Sequence, residues 1–182
     1  MTMTTTTKNA VRLLIWVTST LLSCGQNSEF SLSPDSTSLD FKPLFNNKVD
    51  ILLVIDNSSS MLQHQQILLD TAPALVQRLK EKDFDFHLGA TSTDLSSGGS
   101  SGRLIGNPTY LVNSTPNINE RLKEKLLLGA DGSNVERGLE GMRLALSEPL
   151  ASDTNQGFLR TDSFLLVVIL SNENDQSELP TQ

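Results

Sequence analysis

One carboxylate and two hydroxyls recur at alternate positions in Asp56-Asn57-Ser58-Ser59-Ser60. On a tight loop this spacing can aim the oxygens of Asp56, Ser58 and Ser60 at one point. A hard cation such as Mg²⁺ takes oxygen ligands in octahedral geometry and keeps several waters. Few protein charges would leave the ion electrophilic, able to accept a carboxylate from another molecule. The same residues also make an ordinary helix start, with Ser59 or Ser60 as N-cap and Asp56 capping the same loop. Spacing alone favours the helix start. Placement after five apolar β-formers and ahead of a helix favours the cation site.

Other chemistry is poorly supported. His64 lies among Gln63, Gln65 and Gln66, a solvated face, and His87 falls on the polar side of a strand. Neither has a Ser or Cys at motif spacing, so nucleophilic catalysis lacks its parts. The loop Ser96-Ser97-Gly98-Gly99-Ser100-Ser101-Gly102 has no lysine in a Walker arrangement and is not a phosphate cradle. Cys24 is the sole cysteine, which excludes an intrachain disulfide and a thiolate-rich zinc site. Lys and Arg number 14 against 21 Asp and Glu, a net charge of −7. No basic face is available to neutralise phosphates, so no nucleic-acid partner is expected.

Alternating strands and helices must position the motif. Ile51-Leu52-Leu53-Val54-Ile55 is a continuous apolar run, the pattern of a strand buried on both faces of a parallel sheet. Residues 61–82 read as a helix with Leu68, Ala72, Leu75, Val76 and Leu79 at helical spacing, kinked or divided at Pro73. Phe84, Phe86, Leu88 and Ala90 alternate with polar residues as a second strand. A short strand is expected near Tyr110-Leu111-Val112 and a short helix over 118–127. A better helix is expected over 134–147, with Val135, Leu139, Met142 and Leu146 on one face. The apolar run 164–170 makes the fourth strand and empties into Ser171-Asn172-Glu173-Asn174-Asp175. Helical crossovers between apolar strands imply a three-layer α/β/α fold with a mostly parallel central sheet. Ligands in such sheets bind at the carboxyl ends of strands, where strand order reverses.

An apolar strand running into Asp-x-Ser-x-Ser and then a helix resembles the metal-ion-dependent adhesion site of von Willebrand factor A domains. The resemblance covers residues 48–176 and implies a Rossmann-like fold and a divalent cation, Mg²⁺ or else Mn²⁺ or Ca²⁺. It implies that Asp56, Ser58 and Ser60 hold the ion. A family hydroxyl from a Gly-Thr loop is matched by Ser133 in Gly132-Ser133-Asn134, where an N-cap is the alternative role. The Asp that usually ends the family's later strand is replaced by Asn172; its carbonyl oxygen, Glu173 or Asp175 would substitute. Thr91 and Asp94 could line the site, but more simply end a strand and open a loop. Family members continue past this strand with further helices and two more strands. The expectation is therefore a domain incomplete at its C-terminus, with its last strand near an open edge.

The amino-terminal segment reads as an address. Lys8 and Arg12 precede Leu13-Leu14-Ile15-Trp16-Val17, a charged-then-apolar order too short to span a bilayer. Leu21-Leu22-Ser23-Cys24 resembles the bacterial lipobox, with cleavage before Cys24 and acylation of it. By the same resemblance, Gly25 points to the outer membrane. The expected organisation is a lipoprotein signal peptide over 1–23, the acylated Cys24 with a flexible tether over 24–47, and the folded domain over 48–182. Ser, Asn, Asp and Pro dominate the tether, where Phe41, Leu44 and Phe45 are candidates to dock on the domain.

The resemblance implies a non-enzymatic binding or adhesion module on a membrane-anchored envelope lipoprotein. Its partner would be a protein presenting Asp or Glu. A structural envelope protein with a decayed metal site is the first alternative. An α/β hydrolase or phosphatase using Asp56 or Ser58 is the second.

Overall fold

The computed structural model describes residues 46–178. The expected leader, Cys24 and the expected tether through residue 45, including Phe41, Leu44 and Phe45, lie outside the described residues.

Strand β1, Lys48–Ile55, is the centre of the sheet. Ile51 through Ile55 are all 3% exposed or less, as expected of a run without alternation. It pairs in parallel with β2, Asp85–Ser92, on one side and with β3, Phe164–Leu170, on the other. Ile55 is level with both Ser92 and Leu170, so the three strands end together at one carboxyl edge. The chain steps from β1 outward to β2, then returns to place β3 on the opposite side of β1. Strand order therefore reverses between β1 and β3.

Helices cover both faces. Helix α1, Leu62–Glu81, and α2, Ile118–Leu126, pack on the face carrying Ile51, Leu53, Ile55, Phe86, Leu88 and Ala90. The opposite face carries Leu52 and Val54, against Leu104, Phe158 and Ala145 of α3, Gly138–Leu146. The fold is thus α/β, a small three-stranded parallel sheet with helices, compatible with a Rossmann-like architecture.

Several elements differ from the sequence reading. Helix α1 continues through Pro73. Burial of Leu69, Ala72 and Val76 outweighs a penalty of about 3 kcal/mol. Its inward line is Gln65, Leu69, Ala72 and Val76, while Leu75 is exposed. The segment near Tyr110 is a single antiparallel bridge between Leu88 and Leu111, so the sheet has three strands instead of four. Helix α3 starts at Gly138 and turns its small residues inward: Gly138, Gly141 and Ala145 are buried, Val135 and Leu139 exposed. A Cβ on Gly138 would lie 2.9 Å from Ile169 Cγ2, and one on Gly141 3.1 Å from the Ser92 carbonyl. Larger side chains would hold α3 off the sheet, which apolar spacing alone does not reveal.

Strand β3 is apolar throughout but lies at the sheet edge. Phe164, Leu165, Leu166 and Ile169 are 40–64% exposed. At the amino end of the sheet, Asp50 is fully buried. Its carboxylate accepts from the Arg160 amide at 2.7 Å, Arg160 Nε at 2.8 Å and Ser163 Oγ at 2.5 Å. Burial alone would lower the Arg160 guanidinium, but bonds to Asp50 and Asp85 hold it above its ordinary value. No helix among the described residues is long and apolar enough to cross a membrane.

Candidate functional site

Asp56 leaves β1 where strand order reverses. Its amide donates to the Leu170 carbonyl at 2.9 Å, tying the end of β1 to the end of β3. Its buried carboxylate accepts from the Ser58 amide at 2.8 Å and from Ser171 Oγ at 2.7 Å. Ser58 Oγ lies 3.1 Å from Ser60 Oγ, and Ser60 Oγ donates to Asn172 Oδ1 at 3.2 Å. The structure therefore brings Asp56, Ser58, Ser60 and Asn172 into one cluster of oxygens. The helix-start alternative is realised in part: Asp56 caps the loop through the Ser58 amide, whereas neither Ser59 nor Ser60 is an N-cap and α1 has no side-chain cap.

Ser133 and Asp175 are otherwise engaged. Ser133 Oγ accepts from the Val135 amide at 3.0 Å, and its own amide donates to Asp94 Oδ2 at 3.2 Å. Asp175 accepts from the Leu139 amide at 3.0 Å, at the amino end of α3, and from Ser177 Oγ at 3.0 Å. Burial tends to raise the Asp175 carboxyl, but bonds from Leu139, Ser177 and Gly138 leave it below its ordinary value. Both residues serve their own loops and form no hydrogen bond to the Asp56 cluster.

Further residues converge at this edge, of which the sequence reading had named Asp94 but not Gln65 or Glu136. Asp94 is buried and accepts from the Ser96 amide at 2.8 Å as well as from Ser133. Burial pushes its carboxyl up, but these bonds outweigh it and set the value below ordinary. Glu136 is 1% exposed, with one oxygen accepting the Thr93 hydroxyl. Burial pushes its carboxyl up, the Thr93 bond opposes that, and Asp56, Glu173 and Asp94 add to the rise. Gln65, expected on a solvated face, is buried and donates to the Asp56 carbonyl at 3.2 Å and the Gly129 carbonyl at 2.8 Å. Thr-Ser-Thr-Asp after an apolar strand, at the same carboxyl edge as Asp56, was the available signal for Asp94. Glu136 carried none, because it falls outside both helix and strand.

The loop over 131–133 sits on this cluster. The Gly132 amide donates to the Asn57 carbonyl at 3.0 Å, and a Cβ there would come within 2.5 Å of the Asn57 side chain. His64 is exposed; His87 Nδ1 lies 2.8 Å from the Phe158 carbonyl and its ring stacks on Tyr110. Neither belongs to the site.

Among the described residues, no group of three or more His, Cys, Asp or Glu could hold a metal ion. Any cation here would depend on hydroxyl and amide oxygens beside its carboxylates. Comparisons with protein-family models, curated proteins and solved structures return no match for this chain.

Proposed function

We propose that the chain is a non-enzymatic binding module of the von Willebrand factor A type. In this reading Asp56, Ser58 and Ser60, with Asn172, hold a Mg²⁺-like ion. A partner's Asp or Glu completes its coordination. The observation that carries the reading is the convergence of these oxygens: Ser58 and Ser60 hydroxyls 3.1 Å apart, with Asn172 bonded to Ser60. The donors are all oxygen, as a hard cation requires. A bound ion would supply an electrophilic point for a carboxylate. Ser133 and Asp175 would reach it only by leaving their present bonds.

The same proposal anchors the chain to a bacterial envelope membrane, the outer membrane by Gly25, through acylated Cys24. Acyl chains alone provide such attachment. Cys24→Ala would abolish incorporation of labelled palmitate and release the chain from the membrane fraction.

The test of function is cation-dependent binding to a carboxylate-bearing partner. Asp56→Ala is expected to abolish it. Binding unchanged by Asp56→Ala would reject the reading. One feature favours the metal-free alternative of a structural envelope protein. Both Asp56 carboxylate oxygens already accept hydrogen bonds, from the Ser58 amide and the Ser171 hydroxyl.

A further inference from the structure

Three buried side-chain oxygens among the described residues have no hydrogen-bond partner: Asn57 Oδ1, Gln65 Oε1 and Glu136 Oε1. All three residues adjoin Asp56. Asn57 follows it, Gln65 donates to its carbonyl, and Glu136 accepts the hydroxyl of Thr93, whose amide donates to the carbonyl of Ile55, the residue before Asp56. Folded proteins satisfy nearly all buried polar atoms, and exceptions mark strain, a catalytic role, or an ordered ion or water. Three separate segments bring them to the carboxyl end of β1, which points to a ligand that accepts oxygen lone pairs.

Glu136 is the exceptional member. It is 1% exposed, and the charged groups that act on it, Asp56, Glu173 and Asp94, are all acids. A buried carboxylate without a cation is costly. The backbone nevertheless fixes it there. The Arg137 amide donates to the Thr93 carbonyl at 3.2 Å, and the Gln176 amide to the Glu136 carbonyl at 2.6 Å. Thr93 in turn donates its amide to the Ile55 carbonyl at 3.2 Å and its hydroxyl to Glu136. The side chain is thereby held between the ends of β1 and β2 and the segment after β3.

We propose that Glu136 Oε1 is an oxygen ligand of the cation held by Asp56, Ser58 and Ser60. This rests on the cation reading above and deepens it. Asn172 contributes no charge, so Asp56 and Glu136 together carry the two negative charges that match a divalent ion. The ion then binds the chain before any partner arrives. Ser133, whose hydroxyl is used within its own turn, is not needed.

The test is calorimetric titration of the full chain with Mg²⁺, Mn²⁺ and Ca²⁺, with thermal melts in the presence and absence of each ion. Glu136→Gln keeps the side-chain shape and removes the charge. It is expected to weaken cation binding by at least about tenfold. It should melt no lower than the parent without cation and lose the rise that cation gives. Asp131→Asn, the same charge change at an exposed position on the adjoining loop, is expected to keep the parent affinity. A lower melt without cation but an undiminished cation rise would overturn the proposal and make Glu136 a packing residue. Binding lost in Asp56→Ala yet unchanged in Glu136→Gln would overturn the Glu136 assignment and leave the cation reading standing. No binding to the parent chain would overturn both.

Discussion

The amide of Asp56 donates to the carbonyl of Leu170 at 2.9 Å, joining the residue just after β1 to the last residue of β3 across the point where strand order reverses. Each strand then releases its polar cluster beside the other. Ser171 consequently reaches the Asp56 carboxylate at 2.7 Å, although the two lie 115 positions apart. Ser171→Ala removes a hydrogen bond to a buried carboxylate. It is expected to destabilise the fold by about 1.5–3 kcal/mol in urea denaturation.

Asp50 and Arg160 set the opposite end of the sheet. Asp50 is fully buried and Arg160 bonds it through both its amide and its side chain. Arg160→Ala leaves that carboxylate without its cation. A loss of about 3–5 kcal/mol is expected, read as a lower urea midpoint. Loss of an exposed pair such as Arg121 with Glu124 should change stability by less than about 1 kcal/mol.

Lys125 is buried, and its Nζ donates to the carbonyls of Ile105 at 2.6 Å, Pro108 at 2.5 Å and Thr109 at 2.7 Å. Burial pushes the ammonium down to about 8, against an opposing pull from Glu124. Between about 8 and the ordinary value of 10.5, the folded chain holds fewer protons here than the unfolded chain. This group's contribution to stability therefore rises with pH across that window and is lost as pH falls towards 8. Carbon NMR of labelled lysine should show one ε-methylene titrating near 8, absent in Lys125→Met. Uniform titration of all lysines near their ordinary value would contradict the assignment.

Helix α3 approaches the sheet through glycine. A Cβ on Gly138 would lie 2.9 Å from Ile169 Cγ2. Gly138→Val is expected to destabilise by about 1–3 kcal/mol through overpacking, measured by thermal melting. Val135→Ala, at an exposed position ahead of the helix, should stay within about 0.5 kcal/mol.

The exposed edge of β3 predicts association. Phe164, Leu165 and Leu166 present apolar side chains on a strand whose outer side pairs with no other strand among the described residues. Phe164→Lys should reduce concentration-dependent aggregation in light scattering with little change in the melting of the monomer. Unchanged aggregation would show that this edge is not the sticking surface.

Runs and alternation made β1, β2 and β3 legible, because burial on one or both faces of a strand writes itself directly into period and composition. Helix α1 was legible, and so was most of its inward face, Leu68, Ala72, Val76 and Leu79, but Gln65 on that face was not. Gln65 turns inward through bonds to the Asp56 and Gly129 carbonyls, which a polar residue among glutamines does not announce. The start of α3 was misread because Val135 and Leu139 have helical spacing, whereas close packing selects Gly138 and Gly141. Within the site, Asp56, Ser58 and Ser60 are adjacent in the chain and so visible as a motif. Asn172 was reachable through family resemblance. Asp94 was visible at the end of an apolar strand, whereas Glu136 comes to the same edge only through tertiary folding, and short-range spacing encodes nothing of that.

The central claim is that the oxygens around Asp56 hold a divalent cation. Calorimetric titration of the full chain with Mg²⁺, and with Ca²⁺ and Mn²⁺ in parallel, tests it most directly. A single site is expected, with a dissociation constant of about 10⁻⁴–10⁻³ M as in exposed extracellular modules, and no heat of binding after Asp56→Ala. No binding by the parent chain through the millimolar range, or binding that survives Asp56→Ala, would contradict it.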